Sequence, residues 1–129
     1  MHTDQFDSCI DACKTCISAA LACANGGTEE ANRHAMADCT ALCMDCVDAC
    51  QLAIRFMERD SRMVSAVCAA VVEVCERCQE ECDMYQMDYC RACAEACRTC
   101  AEECRAVMTA SNLEYGNTSE DDVVAGLRN

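Results

Sequence analysis

The chain alternates short polar runs with non-polar positions that recur every three or four residues, the period of an α-helix packed on one side. Such a stripe is normally filled by Leu, Ile and Val. Here most of it is cysteine: Cys9, Cys13, Cys16, Cys23; then Cys39, Cys43, Cys46, Cys50; then Cys68, Cys75, Cys78, Cys82; then Cys90, Cys93, Cys97, Cys100, Cys104. At about 100° per residue, each series falls within roughly 80° of arc, one stripe on one helix face. There is no Pro, and two of the four Gly are adjacent, so most of the chain is free to be helical. Abundant Ala favours helix and lets neighbouring helices approach closely.

Four helices follow from this pattern. The first is predicted over residues 4–24, ended by Asn25-Gly26-Gly27, where Gly suits the left-handed position after a helix. Thr28 then caps the second, with Glu29 and Glu30 in its positively polarised first turn, and this helix continues to Met57. Neither Gly nor Pro separates Cys50 from Cys68, and the turn is placed at Arg59-Asp60-Ser61, where the thiols lapse and Asp or Ser can cap. A further short turn falls within 83–88, with Asp88 as cap. Short connections make successive helices antiparallel. The fold class is therefore all-α, an antiparallel up-down-up-down four-helix bundle with a Cys-lined core, over residues 1–110. Residues 111–129 lose the periodicity, turn polar and then acidic, and read as a flexible acidic C-terminal tail. The recurrence of C-x-x-C-x-x-x-C is one face pattern used repeatedly rather than a solenoid array.

Charge narrows the partners. The net charge is −13, with nine Arg and one Lys, which excludes the basic face that nucleic acid demands. The acidic residues read as solvated helix surface, with Glu73/Arg77 and Glu58/Arg62 at i,i+4. No apolar segment is long enough to span a membrane. The first residues, Met1-His2-Thr3-Asp4-Gln5-Phe6-Asp7, carry no basic region, apolar run or twin Arg, so the expected location is cytoplasmic, where thiols stay reduced.

Five C-x-x-C pairs, at 13/16, 43/46, 75/78, 90/93 and 97/100, lie in phase with extra Cys at i+4 and i+7. A disulfide scaffold would be loop-rich, with Pro and Gly, and this chain is helical with an odd Cys count. Structural zinc sites place ligands on turns, and iron–sulfur sites want a C-x-x-C-x-x-C run that is absent. A soft ion that prefers thiolate and accepts two or three sulfurs, Cu(I), fits best. If each sulfur bridges two coppers and each copper takes two sulfurs, the load approaches one Cu(I) per Cys, about 17 per chain. Each ion neutralises one thiolate. Empty, the thiols stay protonated and act as small hydrophobes, so loading releases protons. A thiol-redox or metal-transfer protein using its C-x-x-C pairs is the runner-up, disfavoured because the pairs lie mid-helix on the buried stripe. Zinc or cadmium sequestration is a third reading.

The Cys-lined faces, the C-x-x-C-x-x-x-C of the second and fourth helices and the closing Cys97-Arg98-Thr99-Cys100-Ala101-Glu102-Glu103-Cys104 together resemble the bacterial four-helix-bundle copper storage proteins, across residues 4–108. The absence of an export signal is similar to their cytosolic branch. The resemblance implies storage without catalysis, in a homotetramer whose bundles hold many Cu(I) along their axes, and it carries the ligand role onto the Cys of all four stripes.

Antiparallel stacking gathers Cys23, Cys39, Cys82 and Cys90 at one end. Met36 and Met87 sit three residues before Cys39 and Cys90 on the same stripes, and Met84 lies nearby. Their thioethers, which need no deprotonation, make this the expected mouth, with Met36 and Met87 as further copper ligands. Phe6, Ile10, Ile54, Met57, Val64, Val107 and Met108 read as an apolar plug at the other end. His34 falls off the stripe, and Tyr85 and Tyr89 read as packing. The tail ends in Asp122-Val123-Val124-Ala125-Gly126-Leu127-Arg128, which is similar to the short cargo peptides that dock proteins inside encapsulin shells; residues 120–129 are the candidate contact.

Overall fold

The computed structural model describes residues 4–29 and 33–114. After a 3-10 turn at Asp4–Phe6 come α1 (Asp7–Glu29), α2 (Ala37–Glu58), α3 (Val64–Cys82) and α4 (Asp88–Glu114). Each helix packs on its neighbours in the chain, and α1 closes the ring against α4. This is the expected four-helix bundle. Every cysteine faces inward and is buried, and small side chains such as Ala20, Ala24, Ala53, Ala94 and Ala101 fill the space between them.

The first connection departs from the sequence expectation. α1 runs straight through Asn25-Gly26-Gly27 to Glu29, and α2 starts only at Ala37. The glycines serve close approach, not a stop. A Cβ on Gly26 would lie 2.5 Å from the Tyr89 ring, and one on Gly27 would lie 2.8 Å from Thr40 Oγ1. Packing against α2 and α4 thus holds in helical form a segment whose local preference is to break. The Thr28 hydroxyl donates back to the Asn25 carbonyl at 2.9 Å instead of capping α2, whose N-cap position is Met36 with no side-chain cap bond.

The second turn is where the sequence placed it. Asp60 takes a left-handed conformation, φ 53°, the position after a helix where Asp is among the tolerated residues. The Ser61 N–H donates to the Phe56 carbonyl and the Asp60 N–H to the Met57 carbonyl, closing a Schellman motif. The Arg59 guanidinium sits over the Phe56 ring, 4.6 Å from its centroid. In the third turn, the Met87 carbonyl accepts from the Cys90 and Arg91 N–H groups at 3.0 and 3.1 Å. Met87 therefore takes the cap position expected of Asp88, which stands in the first turn of α4.

Polar groups tie the outer faces together. The Ser8 hydroxyl donates to Glu103 at 2.8 Å between α1 and α4, Arg105 pairs with Glu76 between α4 and α3, and Arg77 meets Glu73 at 3.2 Å within α3. α4 also continues past residue 110 to Glu114, with Ser111 buried on the line of Val107 and Cys104. Residues 115–129, which contain the cargo-like segment, lie outside the described residues, as does His2. No helix among the described residues is long and apolar enough to cross a membrane.

Candidate metal centre

The helix register stacks the thiols in five layers. At the end formed by the α1–α2 and α3–α4 connections, Cys23 Sγ lies 3.8 Å from Cys39, 4.0 Å from Cys82 and 3.7 Å from Cys90, and Cys39 lies 3.6 Å from Cys82. Next, Cys43, Cys78 and Cys93 form a triangle of sides 3.8–3.9 Å. The central layer joins Cys16 to Cys75 at 3.9 Å and to Cys97 at 3.8 Å, with Cys46 at 3.9 Å from Cys97. Cys100 then meets Cys13 at 3.7 Å and Cys50 at 3.8 Å. Last, Cys9 lies 3.6 Å from Cys104, with Cys68 buried at the same level of the bundle.

Two of these layers are complete and three lack a corner. The register puts Ala20 beside Cys43, Cys78 and Cys93, puts Val71 beside Cys13, Cys50 and Cys100, and puts Ala53 beside Cys9, Cys68 and Cys104. All three are buried. The signal for these gaps was in the sequence, as stripe positions without Cys. Beyond the last thiols, Phe6, Ile10, Met57, Val64 and Val107 are buried, and Ile54 and Met108 pack against them half-buried, which is the expected plug. At the opposite end Met36 is buried and Met87 is half-buried against the core, while His34 is exposed.

The layers are also close to one another. All Sγ atoms of Cys16, Cys46, Cys75 and Cys97 lie within 4.8 Å, as do those of Cys16, Cys50, Cys75 and Cys100, and those of Cys23, Cys39, Cys43 and Cys82. Cys43 and Cys82 each belong to two such groups, as do Cys16 and Cys75, so adjacent layers share sulfurs rather than standing as isolated sites. A metal–thiolate bond of ~2.3 Å separates sulfurs by ~4.0 Å in a trigonal site and ~4.6 Å in a linear one. The observed spacings meet the first and reach the second with side-chain shifts of well under an ångström.

Among the described residues no Lys, Arg or His side chain is buried with these sulfurs. Burial pushes the Cys90 thiol up to about 11. Within the layers, a thiol that keeps its proton donates it to a neighbour that has lost its own. S–H donation from Cys104 and Cys9 lowers Cys68 to about 4, while Cys9 is raised by its hydrogen bonds with Cys104, Cys13 and Cys68 and by burial. Cys97 is raised by hydrogen bonds with Cys16, Cys46, Cys75 and Cys78 as well as by burial. One thiolate can therefore be shared within a layer, but each further ionisation is opposed unless a cation arrives with it.

The family model described as copper storage protein matches residues 2–109. The chain belongs to the copper storage protein family. Its fold superposes on the Cu(I)-bound copper storage protein BsCsp3 with a TM-score of 0.78 at 38% identity, covering 81% of this chain and 99% of that one. The apo form of copper storage protein 3 from Bacillus subtilis gives 0.74 at 38% identity, covering 80% and 98%. A cytosolic copper storage protein from Streptomyces lividans, described with five coppers, gives 0.79 at 30% identity, covering 82% and 93%. A comparison with curated protein sequences gives no match. The copper storage family assignment agrees with the resemblance drawn from the Cys stripes, and the thiol stripes assemble as their spacing required.

Sequence reasoning missed two features of the loop end. One is the glycine approach of α1 to Tyr89. The other is Tyr85, whose hydroxyl reaches the Ala35 carbonyl at 2.8 Å, fifty positions away in the chain. Long-range contacts made by a half-exposed side chain leave no periodic mark.

Proposed function

We propose that this chain is a high-capacity store for Cu(I), held by the thiolates of all seventeen Cys along the bundle axis. The observation that carries the reading is the column of five buried thiol layers from Cys23 to Cys104. Each Cu⁺ that binds displaces one thiol proton, which leaves to solvent, and the sulfur stays at its oxidation state. One monovalent ion per thiolate leaves the dry core neutral, whereas a divalent ion on four thiolates leaves a net −2 charge buried at each site. This favours Cu(I) over zinc or cadmium. A thiol-redox role needs an accessible low-pKa thiol, and every cysteine is buried, which supports storage without turnover. Exposing the reduced protein to excess Cu(I) and Zn(II) together tests the choice: copper near the cysteine count with little zinc supports it, and retained zinc at the expense of copper contradicts it.

Met36 and Met87 are read as the thioether ligands of the entrance, ahead of the Cys23 layer. A cytoplasmic location accords with the cytosolic Streptomyces lividans relative. The homotetramer is supported by family resemblance and by a groove of about 490 Å³ between α1 and α4, whose floor of Ala12, Thr15, Ala19, Ala92, Ala96 and Thr99 is flanked by Ser8, Asp11, Glu95 and Glu103. Sedimentation of the native protein checks it. Residues 120–129 are read as a docking peptide for an encapsulin shell. Co-expression of a shell with the full chain and with a chain ending at Glu114 tests this, since that truncation leaves α4 whole.

A further inference from the structure

The outermost thiol layer is sealed. Cys23, Cys39, Cys82 and Cys90 are at most 1% exposed, so copper cannot reach them without movement. The covering comes from both connections at this end. Met36 packs over Gly27, whose added Cβ would lie 3.4 Å from Met36 Cβ. Tyr85, Met87 and Tyr89 pack on the core from the other connection. The opposite end is closed by the buried plug of Phe6, Ile10, Met57, Val64 and Val107. Movement of the α1–α2 and α3–α4 connections is what would uncover the Cys23 layer.

Tyr85 bridges them. It lies just after α3, and its hydroxyl donates to the Ala35 carbonyl, next to Met36, at 2.8 Å. The same oxygen lies 3.2 Å from Glu81 Oε2, one turn back on α3. A phenol has one proton and here faces two acceptors. Donated to Ala35, it pins the turn that carries Met36. Donated to Glu81, it leaves that turn untied from Tyr85, held by packing and by its own backbone bonds, Met36 N–H to the Arg33 carbonyl at 3.2 Å and Ala37 N–H to the His34 carbonyl at 3.3 Å. The carboxylate is the stronger acceptor and the carbonyl the closer one, so the proton has two competing places to go.

We propose that Tyr85 is the latch of the copper entrance: its hydroxyl ties the Ala35–Met36 turn over the Cys23, Cys39, Cys82 and Cys90 layer, and transfer of that hydrogen bond to Glu81 opens the path. This rests on the storage reading and adds to it what limits the exchange of the cargo. Tyr85 is a positioning residue and binds no metal. Its role is kinetic, so capacity and exchange rate separate.

The test is release of Cu(I) from the fully loaded, full-length protein to excess bathocuproine disulfonate, without oxygen. Tyr85→Phe keeps the ring and loses the O–H, so release should quicken roughly three- to tenfold at unchanged capacity, the range one net hydrogen bond spans. Glu81→Gln replaces the competing carboxylate by a weaker acceptor whose amide can donate to the phenol oxygen, so the proton stays on Ala35 and release should slow. Opposite shifts in the two variants are the signature of the latch. Equal rates in all three proteins, or faster release in both variants, overturn it. If Tyr85→Phe does not fold, Glu81→Gln decides alone: slower release supports the latch, and an unchanged or faster rate overturns it. Only a handful of copper equivalents in the unaltered protein would instead overturn the storage reading, so the two failures are distinguishable.

Discussion

A cysteine in this core serves two states. Empty, it is a protonated thiol that packs like a small apolar side chain; loaded, it is a thiolate neutralised by its ion. Cys90 shows what the empty state requires, because burial pushes its thiol up to about 11 from the ordinary 9.0. The folded chain keeps this proton at pH values where the unfolded chain has lost it. The resulting stability is complete below about pH 9 and is lost as pH rises towards 11. The melting temperature of the metal-free protein should fall across that window; a constant or rising value would contradict a dry thiol core. The methionines make a different prediction. Replacing Met36 and Met87 by Leu preserves volume, at a cost below about 1.5 kcal/mol each, and removes both thioethers. Copper uptake followed by stopped flow should slow while the final load stays near that of the unaltered protein. Unchanged kinetics, combined with slowing from Met57→Leu and Met108→Leu, would place the entrance at the plug.

At the scale of the helices, close approach decides what local preference leaves open. Gly26→Ala should raise the intrinsic stability of α1 by about 1 kcal/mol, as a helix-interior substitution. The new Cβ would meet the Tyr89 ring at 2.5 Å, however, and that ring packs on the core. The expected outcome of thermal melts is a loss in the single variant and a gain when the same change is made in a Tyr89→Ala background. A gain in both would mean that the glycine is not there for the ring. This contact also explains why the sequence misplaced the first connection. Asn25-Gly26-Gly27 has the chemistry of a helix stop, and only the facing ring and Thr40 show that it is a helix contact. The second turn was legible because the lapse of the stripe coincides with Asp60 and Ser61, residues suited to a Schellman closure. The thiol layers were legible for a stronger reason: a stripe at helical period fixes which residues meet, and short connections fix the layers. The Tyr85 bond was not, because a single hydroxyl contact between two connections has no period.

At the scale of the molecule, the bundle separates holding from admission. The axis is a column of sulfurs capped by Phe6, Ile10, Met57, Val64 and Val107 at one end and by two connections at the other. The chain carries a net charge of −13, which draws cations towards it. Inside, the apolar corners at Ala20, Val71 and Ala53 reduce three layers to three thiols each. The load is thus set by the count of cysteines rather than by the number of four-sulfur sites. The central claim is a stoichiometry, and an anaerobic titration of the reduced, metal-free protein with Cu(I) against a chromophoric chelator reads it directly. The account predicts that the chelator stays colourless until the copper added approaches the seventeen cysteines per chain, with no visible d–d absorption from the loaded protein. Saturation after one to four equivalents would contradict it.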